Sequence, residues 1–310
     1  ASLEQEVASL KERGTTWDKI VSALPKISGY AQIRYEYKDG DSGESTFQLR
    51  RVRLSLDGKI SKKLDYKLQA ELTSFKLLDA YFSYKPFKQL NLRAGQFKLP
   101  FSIENTDYGP TKLELIDYPM ALTYLVGYSE KLGDTTLKAN GRDLGFKFYG
   151  SFLNKLIGYD LGIFNGAGLN VKDNNKSKDF IARLIVKPIK GLSLSASYMF
   201  AETNYGGQQY MTSPRWSVGA IYDVRHWIAR SEYAQVNYGD NRADAFYALF
   251  GYHFEQPWTI AARYEFINDE FLTLDEQRIT LGTAYKPFKY LRLQFNVSYT
   301  MNELAPDAHR

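Results

Sequence analysis

The strongest constraint on the fold is an alternation of apolar and polar residues with a period of two, which begins at Lys26 and recurs almost to the end of the chain. In "KISGYAQIRYEY" the odd-numbered positions are apolar or small, and most even-numbered positions are polar. The same pattern recurs in about fifteen segments, most of them about nine to twelve residues long. Each such segment is a strand with two chemically different faces. The chain is therefore predicted to be all-β.

Two architectures accommodate such strands. A soluble sandwich packs its apolar faces together, whereas a transmembrane barrel turns them to lipid and its charged faces to a water-filled lumen. The chain contains 24 Tyr, and Tyr or Trp residues recur at strand ends, for example at Tyr84, Trp227 and Trp258. Such rings favour the membrane interface. We therefore predict a transmembrane antiparallel β-barrel of about 16 strands, of which about 15 are visible.

Loop lengths support the barrel, because the predicted connections alternate between short and long. The phrase apolar-Lys-Pro-apolar-Lys-x-Leu occurs three times, with its Lys-Pro pair at Lys85, Lys187 and Lys286, and each copy falls on a short connection. Proline ends a strand because it has no N–H for the ladder. We interpret the phrases as hairpin turns on one rim of the barrel, the periplasmic one.

The chain divides by pattern into two parts. Residues 1–25 have the spacing of an amphipathic helix, which either packs on its own domain or forms a short coiled coil for oligomerisation. Residues 26–310 form the predicted barrel, with a long inserted loop at 99–141. Long irregular segments inside compact folds are usually functional.

Composition excludes several classes of protein. No apolar run is long enough for a membrane helix, and the absence of Cys removes a disulfide framework. The net charge of +5 comes without a basic cluster or motif, so no nucleic-acid partner is expected. We find no nucleophile motif, metal-ligand spacing or phosphate-binding loop, and "NGAGLN" at 165–170 is interpreted as a turn. We therefore expect no enzyme activity, no cofactor and no metal.

Several stretches resemble the phosphate-selective porin O and P family of Gram-negative outer membranes. They are the leader "LEQEVASLKERGTTWDKI", "RRVRLSLDGKI", "DAYFSYKPFKQLNLRAGQFKLPFS", "NGRDLGFKFYG" and "GIFNGAG", of which "GQFKLPFS" at 95–102 is the most specific. The resemblance implies a sixteen-stranded barrel, commonly a homotrimer, in the outer membrane. It also implies an anion-favouring pore narrowed by an inward loop. With about fifteen strands visible, we expect either a closing strand beyond Arg310 or one wrong strand assignment.

We predict that loop 99–141 forms the constriction; the alternative is an outer lid or a trimer contact. Selectivity would come from charges that face the lumen. The strand phase assigns ten basic side chains to the pore lining, as candidate anion-binding residues, and we expect Arg51, Arg53 and Arg93 to matter most. The ten are Arg34, Arg51, Arg53, Lys67, Arg93, Lys147, Arg183, Arg230, Arg263 and Arg292. The loop would add Lys112, Lys131 and Lys138, but it has no dense lysine cluster that would indicate phosphate.

The sequence thus predicts an outer-membrane porin for passive diffusion of small solutes with a mild preference for anions. Its partners would be outer-membrane lipid, small anionic solutes and two further copies of itself. Two alternatives stay open: a barrel with a blocked pore that serves as a structural or docking subunit among other outer-membrane proteins, and a soluble β protein that binds carbohydrate.

Overall fold

The computed structural model describes residues 5–6, 24–39, 43–120, 125–126, 141–173, 176–205, 209–255, 257–270 and 274–304. These residues belong to two compact units, Ala1–Pro86 and Phe87–Arg310. The predicted N-terminal helix lies almost entirely outside the described residues, as do Lys131 and Lys138. No helix among the described residues is long and apolar enough to span a membrane.

The first unit contains four antiparallel strands in sequential order. They are β1 (Lys26–Lys38), β2 (Glu44–Lys59), β3 (Leu64–Glu71) and β4 (Lys76–Tyr84). A bulge interrupts the first pair, because Gln32 lies opposite Arg51 whereas Ile33 lies opposite Leu49. Arg50 is therefore the extra residue, and a bulge of this kind re-aims the side chains around it.

The second unit contains eleven antiparallel strands in sequential order and a separate two-stranded hairpin. The strands are β5 (Asn91–Lys98), β6 (Arg142–Phe152), β7 (Ile157–Phe164), β8 (Asp179–Val186), β9 (Leu192–Phe200), β12 (Arg215–Val224), β13 (Trp227–Tyr238), β14 (Asn241–His253), β15 (Trp258–Asp269), β16 (Leu274–Phe288) and β17 (Leu291–Leu304); the hairpin is β10 (Glu202–Tyr205) with β11 (Gln209–Thr212). Among the described residues, fifteen strands, four and eleven, thus pair in sequence order, which matches the number predicted.

The two faces of the eleven-stranded part of the sheet, in the second unit, differ in chemistry. One face, the outer face, exposes large apolar side chains, including Phe250 at 54%, Ile260 at 49% and Leu281 at 57%. The other face, the inner face, holds charged residues such as Arg230 and Glu232, each 2% exposed. Water penalises an extended exposed apolar face, whereas lipid accommodates it. The sheet therefore has the polarity of a membrane barrel, not of a soluble protein.

The repeated Lys-Pro phrase makes the same backbone contact each time. The N–H groups of Lys85, Lys187 and Lys286 donate to the carbonyls of Lys63, Leu156 and Pro257 at 2.7, 2.8 and 2.9 Å. The proline that follows each lysine has no N–H to continue the ladder. The interpretation of these phrases as turns is confirmed.

The insertion after β5 is partly described. Residues 99–120 and 125–126, the inner segment, contain one short helix, α1 (Ile103–Asp107), and a 3-10 turn at Pro110–Lys112. Most of the inner segment is buried, including Phe101 at 0% and Leu115 at 1% exposure. A segment this apolar needs a partner surface, and the inner face provides it.

Candidate functional site

The base of the inner segment is closed by hydrogen bonds. The N–H of Leu99 donates to the carbonyl of Gly141 at 2.8 Å, and the Asn105 amide donates to both Leu99 and Gly141 carbonyls at 2.9 and 3.0 Å. Lys98 donates to the carbonyls of Asn105 and Tyr108 at 2.7 and 3.2 Å. These contacts fix the position at which the chain leaves β5 and continues into α1.

The N-terminus of α1 is capped by a carboxylate from the inner face of the strands, which we call the wall. Glu232 of β13 accepts hydrogen bonds from the Ser102 hydroxyl at 2.8 Å and from the Ile103 N–H at 3.1 Å. The first N–H groups of a helix have no partner within it, and a negative charge there is favourable. Glu232 therefore fixes the orientation of α1 against the inner face.

Arg230 lies at the centre of a buried ionic cluster. Its guanidinium contacts Glu104 at 2.8 Å and Glu114 at 2.7 Å, both on the inner segment, and lies 3.9 Å from the centre of the Tyr108 ring. The Tyr247 hydroxyl donates to Glu104 at 3.0 Å. Burial raises the pKa of Tyr108 to about 12, so this phenol is neutral at physiological pH. Buried charges persist only when they are paired, and here one wall cation holds two carboxylates of the segment.

Further wall residues bind the backbone of the inner segment. Arg263 donates to the Asp117 carbonyl at 2.8 Å, and Glu265 accepts from the Met120 N–H at 2.6 Å. Arg215 donates to the Leu125 carbonyl at 2.9 Å. Because such backbone contacts do not depend on the segment's side chains, they hold its path along the wall.

Contacts extend to the last strand and to an apolar cluster. Gln294 of β17 donates to the carbonyls of Leu113 and Glu114 at 3.2 and 3.0 Å, and Arg292 donates to the Thr111 carbonyl at 3.2 Å. The inner segment also packs on small and aromatic residues of β13, β14 and β15. The cluster comprises Ile103, Leu115, Met120, Leu125, Ile228, Ala234, Val236, Tyr238, Ala243, Ala245, Tyr247, Leu249, Ala261 and Ile267. The described part of the insertion thus covers the inner face of these strands.

A different set of charges crosses β5 to β8, and we call Arg93, Lys147, Asp160 and Arg183 the basic row. Arg93 lies opposite Lys147, and Asp160 lies opposite Arg183. Lys147 pairs with Asp160 at 2.5 Å, and Arg183 pairs with Asp107 of α1 at 2.5 Å. The row thus brings three basic side chains together at the edge of the inner segment, where Asp160 and Asp107 pair with two of them.

Aromatic rings support the basic row. The Arg93 guanidinium lies 5.5 Å from the centre of the Phe97 ring and 5.4 Å from that of Tyr149. Lys147 lies 5.9 and 5.1 Å from the same two rings. Cation–π contacts stabilise a cation without neutralising its charge. These contacts hold the side chains of Arg93 and Lys147 against the two rings.

In the first unit, the predicted basic residues pair within their own sheet. Arg34 contacts Glu36 at 2.8 Å, and Arg51 donates to the Gln32 side chain at 2.9 Å. The remaining pairs are Arg53 with Glu71 at 2.9 Å and Lys67 with Asp57 at 2.9 Å. These cations are thus largely balanced by neighbouring carboxylates.

The predicted site residues therefore fall into groups that the sequence did not distinguish. Arg183, Arg230, Arg263 and Arg292 all contact the inner segment, and Arg93 contacts the rings of Phe97 and Tyr149. Arg51 and Arg53 belong to the first unit and Arg93 to the second, and Lys112 is exposed on the 3-10 turn. Sequence reasoning missed Arg215 as an anchor, although its position in the β12 alternation matches that of the buried Ser217.

The glycine-rich stretch at 165–170 binds a carboxylate of the protein itself. Asp143 accepts hydrogen bonds from the N–H groups of Leu144 and Gly166, both at 2.6 Å, and Gln96 accepts from the Asn170 N–H at 2.9 Å. Gly166 has a φ of 82°, which glycine adopts at little cost. The interpretation of this stretch as a turn is confirmed. Within the described part of the chain, no group of three or more His, Asp or Glu residues is arranged to hold a metal.

Comparisons with known proteins agree with this geometry. Solved structures that share the fold include an anion-selective porin from Comamonas acidovorans (15% identity, TM-score 0.71, 90% of each chain covered) and the outer membrane channel DcaP of Acinetobacter baumannii (13% identity, TM-score 0.63, 90% of this chain and 95% of that one). OmpT of Vibrio cholerae in a trimer form is also similar (14% identity, TM-score 0.59, 90% of this chain and 89% of that one). No curated protein sequence matches the chain.

At these identities the structural likeness shows the fold alone, an antiparallel outer-membrane β-barrel. The sequence match is more specific, because the model of the family described as phosphate-selective porin O and P matches residues 27–226, well over half of the chain. The chain belongs to the phosphate-selective porin O and P family, and it is a porin of the Gram-negative outer membrane.

Proposed function

We propose that this porin conducts small solutes by passive diffusion with a mild preference for anions, through a pore that the inner segment narrows. The observation that carries the proposal is the buried contact of Arg230 with Glu104 and Glu114, which holds the segment on the inner face. The inner face of a porin barrel lines its channel. A segment fixed to that face takes up part of the channel's cross-section.

The basic side chains of β5 to β8 support the anion preference. The segment covers the inner face of β13 to β15, whereas β5 to β8 carry the basic row at its edge. Rings and rows of basic side chains favour anions in pores. A solute that passes the inner segment would therefore meet the half-buried Arg93, with the more deeply buried Lys147 and Arg183 close behind it.

We propose small anions in general, without specificity for phosphate. The described part of the insertion has Lys112 as its one basic residue, beside Glu104, Asp107, Glu114 and Asp117. Specific phosphate binding usually requires several converging donors. The name of one similar structure, an anion-selective porin, agrees with the broader class.

A homotrimer in outer-membrane lipid is the proposed assembly. The similar OmpT structure is described as a trimer form. Residues 1–25, with their helical spacing, are proposed to contribute a short coiled coil to this assembly. Cross-linking of the purified protein, with and without residues 1–25, tests both statements. A protein that stays monomeric in detergent and in vesicles would contradict the trimer.

The alternative is a blocked barrel that acts as a docking subunit, and the dense apolar cluster under the inner segment favours it. Planar-bilayer recording of the purified protein in a KCl gradient separates the two functions. A porin with a mild anion preference gives discrete conductance steps and a reversal potential shifted towards that of chloride. Absence of steps from a protein with heat-modifiable gel mobility would support the docking role. Conduction requires no reactive group, so we propose no catalytic activity.

A further inference from the structure

Asp107 is an acidic residue of the inner segment that pairs with the basic row. It is the last residue of α1, and its carboxylate oxygens contact the Arg183 guanidinium at 2.5 and 3.5 Å. Arg183 also donates from Nε to the Ser195 hydroxyl at 2.9 Å. The two terminal nitrogens of the Arg183 guanidinium, which we call its fork, therefore face the planar carboxylate of Asp107.

The two partners differ in exposure. The Asp107 side chain is 41% exposed, whereas that of Arg183 is 4% exposed. An ion pair with one solvated partner is weak, because water competes for the exposed charge. The exposed carboxylate of Asp107 can thus exchange with water, whereas the buried guanidinium of Arg183 requires another anion when Asp107 leaves.

Open space lies beside this pair. A cavity of about 820 Å³ lies next to α1, on the side of the short connections between strands. Its lining includes Asp107, Ile185, Lys187, Lys190, Ser193 and Ile221. Ions of the size of acetate fit easily into such a volume. A solute in this cavity therefore lies next to the Asp107 carboxylate.

We infer that Asp107 is an internal competitor for the carboxylate-binding fork of Arg183, and that small carboxylates pass by replacing it. This inference rests on the proposed function and names the solute class of the same site. Arginine binds carboxylates in a bidentate manner, and the present occupant of its fork is a carboxylate. A tethered group competes with an effective concentration on the order of millimolar. Solute carboxylates at comparable concentrations would exchange with Asp107.

The test compares Asp107→Asn with the wild-type protein and with Asp223→Asn. Asp223 lines the same cavity and is exposed, but no contact joins it to Arg183, so it controls for the simple loss of a negative charge. In planar bilayers, we expect Asp107→Asn to raise the chloride-to-potassium permeability ratio by about threefold and Asp223→Asn by less than half as much.

Acetate and inorganic phosphate separate the solute classes. We expect the acetate concentration for half-maximal current to fall about tenfold in Asp107→Asn, because the internal competitor is gone. The value for phosphate should change less, because hydrogen phosphate is bulkier, divalent and more strongly hydrated than acetate, although the fork also accepts phosphate in a bidentate manner. An equal change for both anions would overturn the assignment to carboxylates.

A double-mutant comparison distinguishes competition from a structural effect. In an Arg183→Gln background, Asp107→Asn should have no further effect on acetate saturation. Asp107→Ser provides a second variant if Asp107→Asn loses heat-modifiable mobility. If wild type prefers chloride and both Asp107 variants leave acetate saturation unchanged, this inference fails while the proposed function stands. If wild type shows no anion preference, the proposed function itself fails.

Discussion

The inner face of β13 to β15 and the basic row on β5 to β8 carry the same kinds of residues for different purposes. On β13, Arg230 is 2% exposed and holds two carboxylates of the inner segment. On β5, Arg93 is half-buried and lies over aromatic rings. The contrast teaches that inward-facing arginines of one barrel differ in role: Arg230 anchors the inner segment, whereas we propose that Arg93 lines the path of the solute. Burial by the inner segment decides which role an arginine has.

The largest expected effect comes from removing the central anchor. Arg230→Met leaves Glu104 and Glu114 buried without their cation, which typically costs about 3–5 kcal/mol. We expect a lower urea midpoint for protein folded into lipid vesicles, followed by tryptophan fluorescence, and a larger single-channel conductance as the segment detaches. Arg225→Ala, at an exposed turn pair with Glu255, is the control and should change neither. Wild-type conductance in Arg230→Met would mean that the anchor does not hold the segment.

A smaller loss is expected from the cap of α1. Glu232→Ala removes the acceptor for Ser102 and for the Ile103 N–H, which should reduce the free energy of unfolding by about 1–3 kcal/mol. Glu232→Gln keeps one acceptor oxygen and should lose less than half as much. Increased current noise would accompany the loss, because the helix start becomes mobile. Equal losses for Ala and Gln would show that the charge, not the acceptor, matters.

A substitution in the basic row should change the ion selectivity of the pore with little change in the protein's stability. Arg93→Gln is expected to lower the anion-to-cation permeability ratio by about twofold, whereas the lost cation–π contacts cost about 1 kcal/mol or less. The reversal potential in a salt gradient measures the ratio. Arg242→Gln, on an exposed position of β14, is the matched arginine control and should leave the ratio unchanged. If Arg93→Gln mainly destabilises the protein, the basic row anchors the inner segment as Arg230 does.

The smallest effect is expected at Lys112, which the sequence placed in the constriction. Its side chain is exposed on the 3-10 turn, where counterions screen it. Lys112→Gln should change the permeability ratio by less than about 1.5-fold. A change as large as that of Arg93→Gln would place the selective charges on the inner segment as well as on the wall.

The strands were predictable from the sequence because a barrel imposes one rule at every position. In β13 the burial alternates without exception from Ile228 to Tyr238, as the period of two requires. The hairpin β10–β11 was missed, since its strands of four residues each are too short to show a period. Arg50 also escaped assignment, because the bulge beside it breaks the phase locally.

The roles of the inward charges could not be predicted from their own strands. Strand phase correctly places Arg230 and Glu232 on one face. It carries no information about Glu104, which lies 126 residues away in sequence and meets Arg230 only in the folded protein. An irregular segment has no period from which its partner can be read. Tertiary contacts therefore decide whether an inward-facing arginine anchors the inner segment or is available to line the pore.

The hydrogen bonds of the inner segment also have a consequence for biogenesis. The cap from Glu232 to Ile103 spans 129 residues, the bond from Met120 to Glu265 spans 145, and the bond from Arg292 to Thr111 spans 181. Contacts of such high sequence separation form late, because much of the chain must be ordered first. The segment can settle only after the C-terminal strands have been inserted. Each newly assembled pore is therefore expected to be at its widest first and to acquire its selectivity as the last step of maturation.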